Sequence, residues 1–338
     1  MKIEKNDTIG TEMKKDEGRK DFVNQLQDLF TATATFKHSN FYFICLLLLV
    51  ELCLCLGIVN YVSYTEIDWK AYMQEVTTFW DDGELDYLKI RGDTGPLVYP
   101  AGFLYLFQLL KYFTTEGTDI YKAQLIFVAF YLFHTGIVLY LYTLPTRPVI
   151  PSTHEKARLQ TANSSKLGHE TKEEQLQKAH EVWSWRFAMV LCILSKRMHS
   201  IYVLRLFNDG PAMILCYLSI AFFAKSRWNV GCVFFSLAVS IKMNVLLFAP
   251  GLLLLLLQAN STLYGTAICL SICASIQVFL GAPFLLSHPI SYIRKAFEFD
   301  RVFFYKWTVN WKVRNFHKNH TPLYFIDLYG VISMTSLT

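Results

Sequence analysis

Apolar residues are concentrated in six long runs that are separated by polar segments. The runs cover residues 41–60, 121–144, 182–194, 212–224, 230–257 and 262–286. A helix needs about 20 residues to cross a hydrocarbon core about 30 Å thick, and the runs meet this length singly or as pairs. Backbone groups facing lipid must be paired within the segment, so the spans are predicted to be helical. The pattern therefore predicts an all-α, multispanning transmembrane protein.

Composition agrees with this fold class. The 338 residues are 53% hydrophobic and 16% aromatic, with a mean hydropathy of +0.28, as in multispanning membrane proteins. The first run begins after residue 40 and has no small-residue cleavage site, so we expect an uncleaved anchor. Counts of Lys and Arg predict that residues 1–40 form a disordered cytosolic tail and that residues 61–97 form a lumenal loop.

The sequence contains no recognisable metal or nucleotide motif. All eight cysteines fall within apolar runs, where we interpret them as packing residues. Their spacing does not fit a zinc site. A Gly-rich phosphate loop and an H-E-x-x-H motif are also absent from the sequence. We therefore expect neither a metal nor a cofactor.

The segment 61–97 is acidic in a chain whose formal net charge is +5. It holds eight carboxylates against three basic side chains. Asp68 follows the first span, with Trp69 beside it and Tyr72 one helical turn on. Aromatic rings can cover the apolar face of a sugar, and partial desolvation would raise the basicity of a carboxylate that removes a hydroxyl proton. The alternative is that Asp68 is only a helix N-cap or a solvated interfacial acid.

The run RGDTGPLVYPAG, residues 91–102, is rich in Gly and Pro and predicts a rigid, turning backbone. Arg91 and Asp93 could pair with each other, or could contact a phosphate and a sugar hydroxyl; the run could also be a simple membrane-entry turn. The apolar stretch that follows, residues 98–113, is marginal as a span. It could dip into the membrane and return, which is the alternative we favour, or it could cross fully, as the seven basic residues between Arg294 and Lys318 would favour.

Charged residues recur between the later apolar runs. Arg205 and Asp209 are four apart, so they could form an ion pair on one helix face or bind a phosphorylated lipid. Lys242 interrupts an apolar run and could either snorkel or bind a phosphate. Basic and aromatic side chains alternate beyond residue 290, including Arg301 and Trp307. This composition favours anionic lipid or pyrophosphate over nucleic acid as a partner. Residues 145–181 are predicted to be a polar linker.

Six motifs, in order, resemble one enzyme family. They are EIDWKAYMQEV, RGDTGPLVYPAG, KRMHSIYVLRLFND, SLAVSIKMNVLLFAPG, GAPFLLSHPISY and KWTVNW. They are similar to the dolichyl-phosphate-mannose-dependent α-1,3-mannosyltransferases of lipid-linked oligosaccharide assembly. The resemblance covers residues 41–312, which we take as one polytopic domain. It implies the GT-C fold, a multi-pass location in the endoplasmic reticulum membrane, and mannose transfer to the five-mannose dolichyl-pyrophosphate oligosaccharide for protein N-glycosylation.

The resemblance also implies a mechanism and a set of site residues. Transfer from a β-linked donor to an α-linked product inverts the anomeric centre, with Asp68 as the general base. Arg205, Lys242 and Arg301 would stabilise the leaving phosphate, and no metal is required. The full set of expected substrate-binding residues is Trp69, Tyr72, Arg91, Asp93, Tyr99, Arg205, Asn208, Asp209, Lys242, Arg301 and Trp307.

The C-terminal segment departs from the family pattern. Family members continue beyond the KWTVNW motif with further spans, whereas residues 313–338 diverge here and suggest an alternative or shortened C-terminus. An alternative is therefore that the chain is a non-catalytic isoform, whose function is to bind lipid-linked sugar or a partner. A lipid or sugar transporter is a further alternative, because it would also contain charges within the membrane. The oligomeric state is not predicted.

Overall fold

A computed structural model describes residues 23–29, 31–34, 38–64, 68–144, 172–260 and 262–297. Within these residues the fold is helical, which confirms the predicted all-α class. The helices are α1 (Ser39–Tyr61), α2 (Asp68–Trp80), α3 (Ala101–Phe113), α4 (Ile120–Thr143), α5 (Lys172–Ile193), α6 (Lys196–His199), α7 (Asp209–Ala224), α8 (Trp228–Ile241), α9 (Ala249–Ala259), α10 (Leu263–Ser287) and α11 (Pro289–Ala296). A π-helical turn, Ser200–Leu204, follows α6, and a 3-10 helix, Met243–Phe248, precedes α9.

Three of these helices, α1, α4 and α10, are long and apolar enough to cross a membrane. The helix α5 and its continuation Lys196–Leu204 together make a fourth candidate span, bent by 44°. The apolar helices α7 and α8 and the segment Met243–Ala259 are shorter. Length and composition thus confirm a protein with several membrane spans. The apolar run 230–257 is divided at Lys242, where the backbone is extended between α8 and the 3-10 helix.

The acidic segment 61–97 folds into a helix and a hairpin. The helix α2 buries one face, and the strands β1 (Arg91–Gly92) and β2 (Gly95–Pro96) pair in antiparallel register. A Cβ atom at Gly92 would lie 2.6 Å from the carbonyl oxygen of Ala71. Glycine is required there because the hairpin backbone lies directly against α2.

The helix α3 is too short to cross a membrane by itself. With 13 residues it is about 20 Å long, well short of the hydrocarbon core. Before α3, Tyr99 contacts Tyr72 with ring centroids 5.8 Å apart, and after α3 the carbonyl oxygen of Gly117 accepts a 2.8 Å hydrogen bond from the Trp69 indole. Both ends therefore return to α2, in agreement with the alternative that residues 98–113 do not cross.

The predicted segment boundaries differ from the structure at both polar regions. Within the predicted disordered tail, residues 23–29 and 31–34 are helical, and Arg186 of α5 donates to the carbonyl oxygen of Thr33. The predicted linker 145–181 ends early, because α5 begins at Lys172. Glu173 and Glu174 lie in the first turn of that helix, where negative charge stabilises the helix dipole. The predicted C-terminal tail, 313–338, lies outside the described residues.

Candidate active site

Asp68 is the first residue of α2, the helix that follows the first span. Its side chain is partly exposed, while the rest of that helix face is buried. Tyr72 and Glu75 lie on the same face, one and two turns further along. The negative charge of Asp68 contributes to raising the pKa of both side chains, after the larger effect of burial. Asp68 is therefore an accessible carboxylate at the edge of a buried polar and aromatic stripe.

Trp69 has a packing role in place of the expected sugar contact. Its side chain is 1% exposed, and its indole donates to the backbone of Gly117. The rings of Phe107 and Phe127 pack against it, with centroids at 6.0 and 6.2 Å. Because both neighbours belong to other helices, Trp69 fixes the start of α2 against α3 and α4. No face of the indole is open for stacking on a sugar.

Tyr72 lies in the same aromatic cluster. It is 4% exposed and meets Phe103 and Phe107 edge to face, at 5.1 and 4.9 Å. Its hydroxyl is hydrogen-bonded to Tyr99, which is only partly buried. Of the aromatic residues expected at the site, Tyr99 is thus the one with accessible surface beside α2. Burial and the neighbouring hydroxyl raise the pKa of Tyr72 well above its ordinary value.

Arg91 and Asp93 do not pair with each other. Asp93 forms a 2.9 Å ion pair with Lys70 across the outer surface of α2, and its backbone N–H donates to the Gln74 side chain at 2.7 Å. The hydrogen bond from Lys70 holds the pKa of the Asp93 carboxyl below its ordinary value. Arg91 is exposed on β1. Asp93 therefore links the hairpin to α2, and it lies on a different face of that helix from Asp68.

The ion pair that was one alternative for Arg205 and Asp209 does not form. Leu206 takes a left-handed backbone conformation, with φ at 51°, so the two residues do not share a helix. Arg205 instead lies over the ring of Phe207, 5.3 Å from its centroid. Asp209 begins α7 and accepts a 2.5 Å hydrogen bond from the Lys242 ammonium.

Lys242, Asp209 and Asn208 form one polar cluster between α7 and α8. Lys242 also donates to the Asn208 side-chain oxygen at 3.3 Å. Asn208 is fully buried, and its side-chain nitrogen has no hydrogen-bond partner among the described residues. The side chains of Lys242 and Asp209 are 22% and 30% exposed. The cluster therefore presents a cation and an unused amide donor at a partly open position.

The start of α3 contacts both the aromatic cluster around Tyr72 and the polar cluster around Lys242. Tyr99 lies before it and contacts Tyr72, while Gly102 in its first turn lies against Ser240, two residues before Lys242. A Cβ atom at Gly102 would fall 2.9 Å from the Ser240 carbonyl oxygen. The backbones of α3 and α8 are therefore in direct contact at this point. Arg301 and Trp307, the remaining predicted site residues, lie outside the described residues.

Two buried acids near these residues were not among the predicted site residues. Glu75 is a buried acid on the Asp68 face of α2, and its spacing of seven residues from Asp68 was the available signal. Glu51 is an acid within the first span, and a charge there was itself a signal of function or pairing. It accepts from Tyr131 at 2.8 Å and lies 2.7 Å from the His199 ring nitrogen. Glu51, Cys55 and His199 also make the one group of possible metal ligands in the described part of the chain.

Comparison with known proteins identifies the family. The model of the family described as ALG3 protein matches residues 45–156 and 175–328. The chain is 46% identical over 272 residues to the Dol-P-Man:Man(5)GlcNAc(2)-PP-Dol alpha-1,3-mannosyltransferase of Homo sapiens, covering 78% of this chain and 54% of that protein. It is 44% identical to the probable enzyme of that name from Dictyostelium discoideum, covering 79% and 58%.

A protein of the same name from Arabidopsis thaliana is 43% identical, with 79% of this chain and 52% of that protein covered. The chain thus spans about half the length of the curated relatives it matches. No solved structure matches it. The matched residues include α2, the hairpin, α3 and the cluster around Lys242. On the extent of the family match and on these identities, the chain belongs to the ALG3 protein family.

Proposed function

We propose that this chain is a mannosyltransferase of the endoplasmic reticulum membrane. In this proposal it transfers mannose from dolichyl phosphate mannose to the five-mannose dolichyl-pyrophosphate oligosaccharide, forming an α-1,3 linkage in the lumen. The names of the relatives support the substrates. The observation that carries the chemistry is Asp68, a partly exposed carboxylate at the head of α2, directly after the first span.

Asp68 acts as the general base. It accepts the proton of the acceptor hydroxyl while that oxygen bonds to the anomeric carbon of the donor. The bond from that carbon to the phosphate oxygen breaks at the same time, and the phosphate leaves with the electron pair. A phosphate is a good leaving group without protonation, so one carboxylate is enough. Attack opposite the leaving group converts the β-linked donor into an α-linked product.

Lys242 and Asn208 bind the donor phosphate. An ammonium group has three N–H donors, and Asp209 and Asn208 account for two of them. The third is available to a phosphate oxygen in the partly open position between α7 and α8. The side-chain nitrogen of the buried Asn208 has no hydrogen-bond partner among the described residues, and an unsatisfied buried donor costs about 1–3 kcal/mol. A phosphate that accepts from both groups would remove this cost by charge-assisted hydrogen bonds.

The remaining residues position these two groups. Asp209 orients the ammonium of Lys242, and Tyr99, which contacts Tyr72 of α2, offers an accessible aromatic edge for the sugar. Arg205, exposed in the same segment as Asn208, supplies further positive charge for a polyanionic lipid. The scheme uses no metal or cofactor.

Lipid-linked oligosaccharide profiling in cells that lack the endogenous mannosyltransferase tests the proposal. The full chain should convert the five-mannose species to a six-mannose species, and Asp68→Asn at the same membrane level should not. Asp82→Asn is the matched control, because Asp82 is an exposed acid of the same segment. It should behave like the parent chain. Stable membrane expression without conversion would instead support the non-catalytic alternative.

A further inference from the structure

Glu75 is a second carboxyl group on the face of α2 that carries Asp68. Residues seven apart lie on one side of a helix, and Tyr72 lies between the two acids on the same stripe. Glu75 is 3% exposed, and its Oε2 atom has no hydrogen-bond partner among the described residues. If Glu75 were ionised, this buried oxygen would carry negative charge without a donor among the described residues to stabilise it.

The geometry of the helix places Glu75 where the negative charge of Asp68 acts on it. Long side chains of a helix lean toward its N-terminus, and for Glu75 this is the direction of Tyr72 and Asp68. Burial, and then the negative charge of Asp68, raise the pKa of Glu75 from 4.5 to about 8. At neutral pH one acid of the pair is therefore protonated, and it is the buried one.

In the described part of the chain, the groups around Glu75 include no cation that would make Glu75, and not Asp68, the ionised acid. The groups that interact with it electrostatically are Asp68, Tyr72 and Tyr87. Tyr87, in the segment after α2, is fully buried, and its hydroxyl has no partner among the described residues. Behind Tyr87 lie two further tyrosines, Tyr105 of α3 and Tyr292 of α11.

The charged side chains of the elements packed against α2 are engaged or point elsewhere. Lys111 of α3 is bonded to Asp81 and Glu116. Asp93 of the hairpin is bonded to Lys70 on the outer surface of α2, and Arg91 is exposed. Asp68 is thus the one charged group acting on Glu75 among the described residues.

We propose that Glu75 is a positioning residue that retains its proton beside Asp68, so that Asp68 alone carries negative charge and is the base. This inference rests on the proposed function. Glu75 neither gives nor takes a proton during transfer: the proton of the acceptor hydroxyl goes to Asp68. A neutral neighbour leaves the site with a single negative charge, and a second carboxylate would repel the anionic donor phosphate.

Infrared difference spectroscopy on the purified full chain tests the protonation directly. The carbonyl band of a protonated carboxylic acid should be present at pH 7, absent in Glu75→Gln, and lost in the parent chain as pH rises through about 8. Asp68→Asn removes the like charge but keeps Glu75, so the midpoint of the same band should move to lower pH. Absence of the band at pH 7, or a midpoint that Asp68→Asn does not move, would overturn the inference.

A pH profile of mannose transfer provides the second readout. Transfer by the parent chain should fall about tenfold per pH unit above the Glu75 midpoint, whereas Glu75→Gln should show no such decline. If Glu75 had only a structural role, Glu75→Gln would lower the rate of transfer by the same factor at every pH. If the parent chain transfers no mannose while the infrared titration holds, the proposed function fails and the protonation of Glu75 stands. If transfer occurs and both profiles coincide, the inference alone fails.

Discussion

Glu51 offers a test of how the first span is held against the rest of the protein. It is 2% exposed within α1, and its Oε2 atom accepts from Tyr131 of α4 at 2.8 Å and lies 2.7 Å from Nε2 of His199. Glu51→Ala leaves both partners buried without the carboxylate. Each unsatisfied group costs about 1–3 kcal/mol. Because two groups lose this acceptor, we expect a loss of about 2–6 kcal/mol.

Two further variants provide comparisons for the loss of stability expected in Glu51→Ala. Glu51→Gln keeps an oxygen acceptor for one partner, so its loss should be about 1–2 kcal/mol. Leu54→Ala, at a position of the same helix that is 46% exposed, should change stability by less than about 0.5 kcal/mol. Detergent-driven unfolding of the purified chain, followed by tryptophan fluorescence, measures all three.

A double-mutant cycle of Glu51→Ala with His199→Ala should then give a coupling energy of about 1–3 kcal/mol, because the two side chains are in contact. A Glu51→Ala protein as stable as Leu54→Ala, or a coupling energy near zero, would refute the reasoning.

Three further changes test the structure around Asp68. Gly92→Ala should destabilise the chain by about 1–3 kcal/mol in the same unfolding assay, because the added Cβ would meet the Ala71 carbonyl oxygen at 2.6 Å. Trp69→Phe should cost about 1–2 kcal/mol through loss of the hydrogen bond to Gly117, measured as a lower unfolding midpoint. Since the pKa of Glu75 is raised on folding, the unfolded chain binds fewer protons between pH 4.5 and 8, and stability should fall with rising pH over this window. Stability curves of Glu75→Gln should lack that decline.

The predictions that the structure confirms rest on local patterns. The apolar runs gave α1, α4 and α10 because a span is a property of one continuous segment. The break of the run 230–257 was visible from Lys242, a charge that an apolar helix does not accommodate freely. These features need no knowledge of which segments are neighbours in space.

The contacts of the site residues depended on tertiary structure. Arg205 and Asp209 have the spacing of an ion pair on a helix, but the left-handed conformation of Leu206 ends the helix between them. Asp209 then binds Lys242, which is 33 residues away in sequence. Trp69 is an aromatic residue next to Asp68 in the sequence, and it was therefore predicted to contact a sugar. Only the packing of α3 and α4 shows that its ring is enclosed.

The position of α3 leads to a final prediction about how the proposed base, Asp68, and the proposed phosphate ligand, Lys242, are held at a fixed separation. Its start touches α2 through Tyr99 and α8 through Gly102, so the separation of Asp68 from Lys242 depends on this contact. In Gly102→Ala the new Cβ would overlap the Ser240 side chain, with Ser240 Cβ at 2.8 Å, and α8 would have to move away. Because small displacements of catalytic groups cost much of the rate, conversion of the five-mannose species should fall about 100-fold at equal membrane level. Ser240→Gly removes the overlapping atoms, so the double variant should recover part of that loss. Equal activity of Gly102→Ala and the parent chain would show that α3 does not set the distance between the two clusters.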